Sequence, residues 1–178
     1  MNPPKARSGT RPAGGPKPGR GATPPALRPL WTCPKCGARF VTRNMWHACG
    51  RYSLDAFFEG RPRARELFAA WERFVRRAGA FDVVPQKTRI VFVARTRFAG
   101  VARVGPDSIV AAFGLPRRIE DARFQRTEWP GTGWWGYRFR LENEDQLDAS
   151  LLRLVKEAYE QMGLQRRLAA AKRPRTRT

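Results

Sequence analysis

The three cysteines and the only histidine of this 178-residue chain all fall between residues 33 and 49: Cys33, Cys36, His47 and Cys49. Four N/S side chains is the number a tetrahedral zinc ion takes, and none is left over. In the stretch Cys33-Pro-Lys-Cys36-Gly a tight turn aims two sulfurs at one point, and Gly37 relieves the crowded backbone after it. The second pair, His47-Ala-Cys49, is spaced more tightly than usual. Four such ligands close the site, so the expected cofactor is a structural Zn²⁺ rather than a catalytic one. The alternative is three reduced thiols and a surface imidazole. A metal here makes residues 31–50 a small head knit by coordination. Arg39 to Thr42 is expected as its returning strand, and Phe40 with Trp46 as its apolar filling. Three thiolates on one Zn²⁺ leave about one negative charge. Lys35, Arg39 and Arg43 either neutralise it or contact phosphates.

Beyond the head, residues 51–163 read as one α+β domain. Ser53 is placed to cap a short helix through Phe58 that Gly60 ends. Pro62 opens a longer helix to about Ala78, with Leu67, Phe68, Trp71, Phe74 and Val75 on one face and Gly79 at its stop. Strands are expected at Phe81–Pro85, Arg89–Ala94, Phe98–Val104, Ser108–Leu115, Phe124–Trp129 and Trp135–Leu141, from their β-branched and aromatic content. Arg95, Thr96 and Arg97 form a hairpin tip, and Gly105-Pro106-Asp107 a turn. A last helix is expected over Glu144–Met162, with Asn143 as its N-cap. The layout predicts an antiparallel sheet with helices before and after it, packed on one side. Eleven Phe and six Trp supply enough apolar surface for that core.

Residues 1–30 and 164–178 are rich in Pro, Gly and Arg. They lack the apolar side chains that repay ordering, so both are expected to be disordered basic tails. No apolar stretch has the length of a membrane span, and the N-terminus lacks the apolar run of a secretory signal. The expectation is a cytoplasmic protein with no membrane partner, in a compartment where clustered cysteines bind metal.

The net charge is +20, with 35 Lys and Arg against 15 Asp and Glu. No acid precedes Asp55, while ten basic residues do. Such a surface attracts polyanions, and nucleic acid is the commonest inside a cell. The competing account is genomic: only six of the 35 cations are Lys, the profile of a GC-rich genome. Lys87, Arg89, Arg95 and Arg97 cluster around the central strands. They suit phosphates or a carboxylate ligand, or else guard a strand edge against aggregation, which is the favoured account of nearby Arg103. Trp134 and Trp135 lie in a Gly-rich loop, where they either stack on bases or fill the core.

Catalysis finds little support. The metal head uses every His and Cys, and acids such as Asp82, Asp107, Glu120 and Asp121 are scattered. A nuclease-like set of Asp82 and Lys87 lacks a convincing second acid. The enzyme question stays open on the sequence, leaning against activity; an enzyme using Asp or Glu with a second metal would need two acids converging in a cleft.

The stretch WTCPKCGARFVTRNMWHACGRYSLDAFFEG, followed by PQKTRIVFVARTRFAGV, resembles an uncharacterised bacterial family known as domain of unknown function 5655. Some of its members carry a head like Cys33–Gly50. The core resemblance runs from Ser53 to about Met162, through Pro85, Lys87, Ile90, Phe92 and Arg97-Phe98-Ala99. It implies an α+β core and no assigned activity, substrate or cofactor. In this family the core also occurs beside nuclease-like domains, which leans towards nucleic acid. The leading expectation is a zinc-containing nucleic-acid-binding or adaptor protein. The alternative is a module binding a small anionic ligand through Lys87, Arg89 and Arg97.

Overall fold

A computed structural model describes residues 29–41, 43–44, 49–50, 52–129 and 133–165. The head begins with a two-stranded antiparallel hairpin, β1 (Trp31–Thr32) and β2 (Arg39–Phe40). Trp31 and Phe40 face each other across it, with ring centroids 6.0 Å apart. Trp46, expected beside Phe40, lies outside the described residues, as does Thr42.

A single 3-10 turn over Asp55–Phe57 follows, its first amide bonded to the Ser53 hydroxyl at 3.2 Å. Then comes α1 (Pro62–Arg76) with Pro at its first turn, where the missing N–H costs nothing. Its apolar positions recur every three or four residues, and Ala64, Leu67, Phe68, Trp71, Phe74 and Val75 are all buried.

Six strands form the main sheet: β3 (Asp82–Pro85), β4 (Ile90–Val93), β5 (Arg97–Val104), β6 (Ile109–Leu115), β7 (Gln125–Trp129) and β8 (Trp134–Leu141). Their spatial order is β3-β4-β5-β6-β8-β7, and every neighbouring pair is antiparallel. The expected antiparallel α+β architecture is the one observed.

The expected last helix is broken in two. A 3-10 turn over Glu144–Gln146 comes first, and α2 (Ala149–Ala158) starts only after it, running into a π-type turn over Tyr159–Gly163. Asn143 does not cap α2. Asp148 does, its carboxylate accepting from the Leu151 amide at 2.7 Å. Leu147, at φ −88° and ψ 64°, breaks the helical path between the two.

Both helices pack on one face of the sheet. Alternation along each strand decides which side chains meet them. Ile90, Phe92, Ala99, Val101, Ala111, Phe113, Tyr137 and Phe139 point to the helices and are buried with Trp71, Leu151 and Val155. The intervening residues face away. Pairing runs Val91, Gly100, Ala112, Arg138 and Gln125 in one row across β4, β5, β6, β8 and β7 on this second face. The parallel row beside it is Gly114, Gly136 and Thr127.

Candidate metal centre and sheet-face site

In the head, the chain after β1 turns back at once. The Cys33 amide donates to Ala38 and the Gly37 amide to Cys33, at 2.8 and 2.9 Å. Gly37 sits at φ +75°, the left-handed conformation that glycine adopts without penalty. This turn brings the Cys33 and Cys36 thiols together, and Cys49 returns to them. The three Sγ atoms all lie within 4.8 Å of one another, those of Cys33 and Cys49 at 3.6 Å. Sulfurs in a tetrahedral zinc–thiolate site are about 3.8 Å apart, given Zn–S bonds of about 2.3 Å. A disulfide would need about 2.05 Å, so the thiols are free and spaced for an ion.

Cys33 is 4% exposed and Cys49 is open to solvent. The head is only a few residues deep, so low exposure there is not deep burial. Desolvation raises the Cys33 pKa, but the amides of Cys36 and Lys35 and the thiols of Cys49 and Cys36 outweigh it and bring it to about 6. Cys49, hydrogen-bonded to Cys33 and partly desolvated, is pushed up to about 11. The trio thus holds one ready thiolate, the form that binds metal. Soft sulfur donors at this spacing fit a zinc-like ion. His47, the expected fourth ligand, lies outside the described residues.

The cations expected around the head do not act together. Lys35 is exposed on the knuckle, and Arg43 is exposed beyond β2. Arg39 forms an ion pair with Asp82, tying the head to the β3 edge of the main sheet.

The second region of interest is the sheet face turned away from the helices. Along β4–β5–β6–β8 its centre carries almost no side chain: Gly100, Ala102, Ala112, Gly114 and Gly136 leave a hollow of about 130 Å³. Two irregularities in β5, opposite Phe92/Val93 and near Val101/Arg103, deepen the curvature there. Gly100 has φ +155°, and a Cβ on it would lie 2.2 Å from the Ile90 carbonyl oxygen. Its own carbonyl turns towards the helices and accepts from the Trp71 indole N–H at 3.1 Å.

Three arginines rim this hollow: Arg89 before β4, Arg97 at the start of β5 and Arg138 in β8. Arg97 is exposed along its length, yet desolvation at its head, and then repulsion from Arg89, push its pKa below the ordinary arginine value. It remains fully charged. Arg89 donates to the Gln86 side chain at 3.0 Å. Among the described residues, Arg97, Arg103 and Arg138 hold no acidic partner.

The acids are engaged elsewhere. Ten of them form ion pairs, on helices, loops and strand ends. Among the described residues, the acid placed on the second face by strand register is Asp82, and Arg39 already holds it.

Of the basic and aromatic residues singled out in the sequence, the structure therefore brings Arg89 and Arg97 to the hollow. Lys87 is exposed in the β3–β4 turn and does not line the hollow. Arg95 turns to the end of the chain, bonding Gln165 at 3.2 Å, while its amide donates to Gly163. Trp135 packs against the core with the Arg126 guanidinium over its ring at 5.5 Å, on the helix side. Trp134 is on the second face by alternation. Arg138 was missed in the sequence. The alternation Gly136-Tyr137-Arg138-Phe139-Arg140 in β8 was its signal, since a strand that buries Tyr137 and Phe139 must turn Arg138 the other way.

The family described as "Domain of unknown function (DUF5655)" matches residues 54–162. The chain belongs to that family. The DUF5655 match takes in α1, the whole main sheet and α2, and so both faces of the sheet; the cysteine head lies before it. No curated protein and no solved structure matches the chain. Among the described residues no helix is long and apolar enough to cross a membrane.

Proposed function

We propose that this DUF5655 protein is a nucleic-acid-binding protein that meets phosphates with the bare face of its sheet and carries a zinc ion in its cysteine head. One observation carries the reading: among the described residues, three arginines of the second face, Arg97, Arg103 and Arg138, hold no acidic partner. A sheet face that presents such guanidinium groups, with Trp134 on the same face by alternation, suits a strand whose phosphates are neutralised and whose bases stack. The basic sequence on either side, with no acid before Asp55, adds to the same field.

Such binding works by counterion release, so the logarithm of affinity falls linearly with that of salt concentration. Fluorescence anisotropy of a labelled single-stranded oligonucleotide, titrated at several NaCl concentrations, tests it. Three contacts made by Arg97, Arg103 and Arg138 contribute a slope of about −2. Their triple substitution by Gln is expected to flatten the slope by that amount. Absence of binding at low salt removes the reading.

A further inference from the structure

We infer that the hollow over Gly100 and Ala112 is a seat for one doubly charged tetrahedral oxyanion, a phosphate or a terminal phosphomonoester, held by Arg89, Arg97 and Arg138. The seat does not require a nucleic-acid chain. Its volume, about 130 Å³, is well under the roughly 300–1,000 Å³ of sites for drug-sized ligands, and suits a single compact group. Three arginines, one before β4, one in β5 and one in β8, line one small-residue floor. Desolvation and then repulsion from Arg89 lower the Arg97 pKa, and among the described residues no acid offsets that repulsion. An anion between them turns that repulsion into attraction, and each fork offers two parallel N–H donors to an oxyanion edge. Gly100 and Ala112 at the centre of the floor are paired in the ladder, while Ala102 sits at the bulge without a Cα partner. Recognition is assigned to the three forks. A dianion gains more from three of them than a carboxylate does, and sulfate is expected to compete.

Titration of the ligand supplies a signature. Arginine does not titrate, but a phosphomonoester loses its second charge below about pH 6. Binding of phosphate is expected to weaken as pH falls from 7.5 to 5, and binding of sulfate to stay level.

The experiment is isothermal titration of the full chain with sodium phosphate and with sodium sulfate, at matched ionic strength and at both pH values. Arg97→Gln and Arg138→Gln are each expected to weaken phosphate binding about tenfold or more. Ala112→Leu, which fills the floor and leaves the charge alone, should do the same, so a misfolded arginine variant does not decide the outcome. Arg153→Gln, on the exposed side of α2, should bind as the wild type does. Equal phosphate affinity in all four variants and the wild type overturns the seat, as does no heat of binding at all.

Two further arms separate the sources. A 5′-phosphorylated oligonucleotide that outbinds its 5′-hydroxyl twin, with the advantage erased by Arg97→Gln, assigns the seat to a chain end. Equal binding of the twins, with inorganic phosphate still bound, assigns it to a free phosphate. Phosphate binding that persists where no oligonucleotide binds keeps the seat and removes the nucleic-acid reading. Oligonucleotide binding untouched by Ala112→Leu, with no phosphate affinity, does the reverse.

Discussion

Gly100 joins the two halves of this design in one residue. Its positive φ lets the strand pass close to Ile90, its carbonyl reaches the Trp71 indole on the helix side, and its missing side chain opens the hollow on the other. Only glycine meets all three demands. Gly100→Ala places a Cβ 2.2 Å from the Ile90 carbonyl oxygen and 2.9 Å from the Val91 Cα, both backbone atoms that cannot swing away. The expected cost is on the order of 3 kcal/mol, read from urea denaturation. Trp71→Phe isolates the other demand. It keeps most of the buried ring but leaves the Gly100 carbonyl without its donor, at a cost of about 1–3 kcal/mol. A Gly100→Ala protein as stable as the wild type would mean that β5 does not run this close to β4.

At the level of elements, the start of α2 shows how local chemistry overrules a plausible reading. Two cap-forming residues, Asn143 and Asp148, stand five positions apart. Acids directly after Asn143 favour the first from sequence alone. The structure uses both: Gln146 reaches back to the Asn143 amide at 3.1 Å and closes a single 3-10 turn, and Asp148 then starts the true helix. Nothing local in the sequence ranks the two. The choice is made by Arg123, which comes from a distant loop to bond the Asp148 carboxylate at 2.9 Å and Ser150 at 2.9 Å. The Ser150 hydroxyl and the Leu151 amide hold the Asp148 pKa below its ordinary 3.8, with Arg123 adding to the effect. A depressed carboxyl pKa stabilises the fold above the unfolded value and loses that contribution as pH falls through the folded one. Asp148→Ala should therefore cost about 1 kcal/mol at pH 7, and the gap from wild type should close as the pH drops below 3.8 towards 2. Denaturant melts at the two pH values check this. A gap that persists undiminished in acid would assign the cost to packing rather than to the charged cap.

Across the whole molecule, the readable parts were those set by nearest neighbours. Periodic apolar residues fixed the face of α1, β-branched runs located six strands, and the Cys33-x-x-Cys36 spacing marked the head. What the sequence left open depends on contacts made across many residues. Arg39 was grouped with the head cations, but Asp82, far along the chain, claims it. Arg89 and Arg97 stand near Lys87 and Arg95 in sequence, yet Lys87 and Arg95 lie in turns off the hollow, and alternation in β8 recruits Arg138 instead. Trp134 and Trp135 are adjacent, and a pleated strand sends them to opposite faces. The same separation into parts governs what a metal in the cysteine head would stabilise. The core of the α+β domain is built from residues 58–158, and among the described residues the ion pair that ties it to the head is the exposed Arg39–Asp82 pair, worth at most about 1 kcal/mol. Among the described residues of the head, Trp31 meets Phe40, and coordination by the cysteine trio would be the main source of order there. Stripping the metal with a chelator, or replacing Cys33 by Ser, is therefore expected to release the ion and unfold the head alone. Elemental analysis should find about one zinc per chain before treatment, and hydrogen exchange should then lose protection at residues 31–40 but keep it in β4, β5 and β6. A main domain that melts together with the head on chelation would show that the two form one cooperative unit, and the metal would then have to be counted among the supports of the sheet itself.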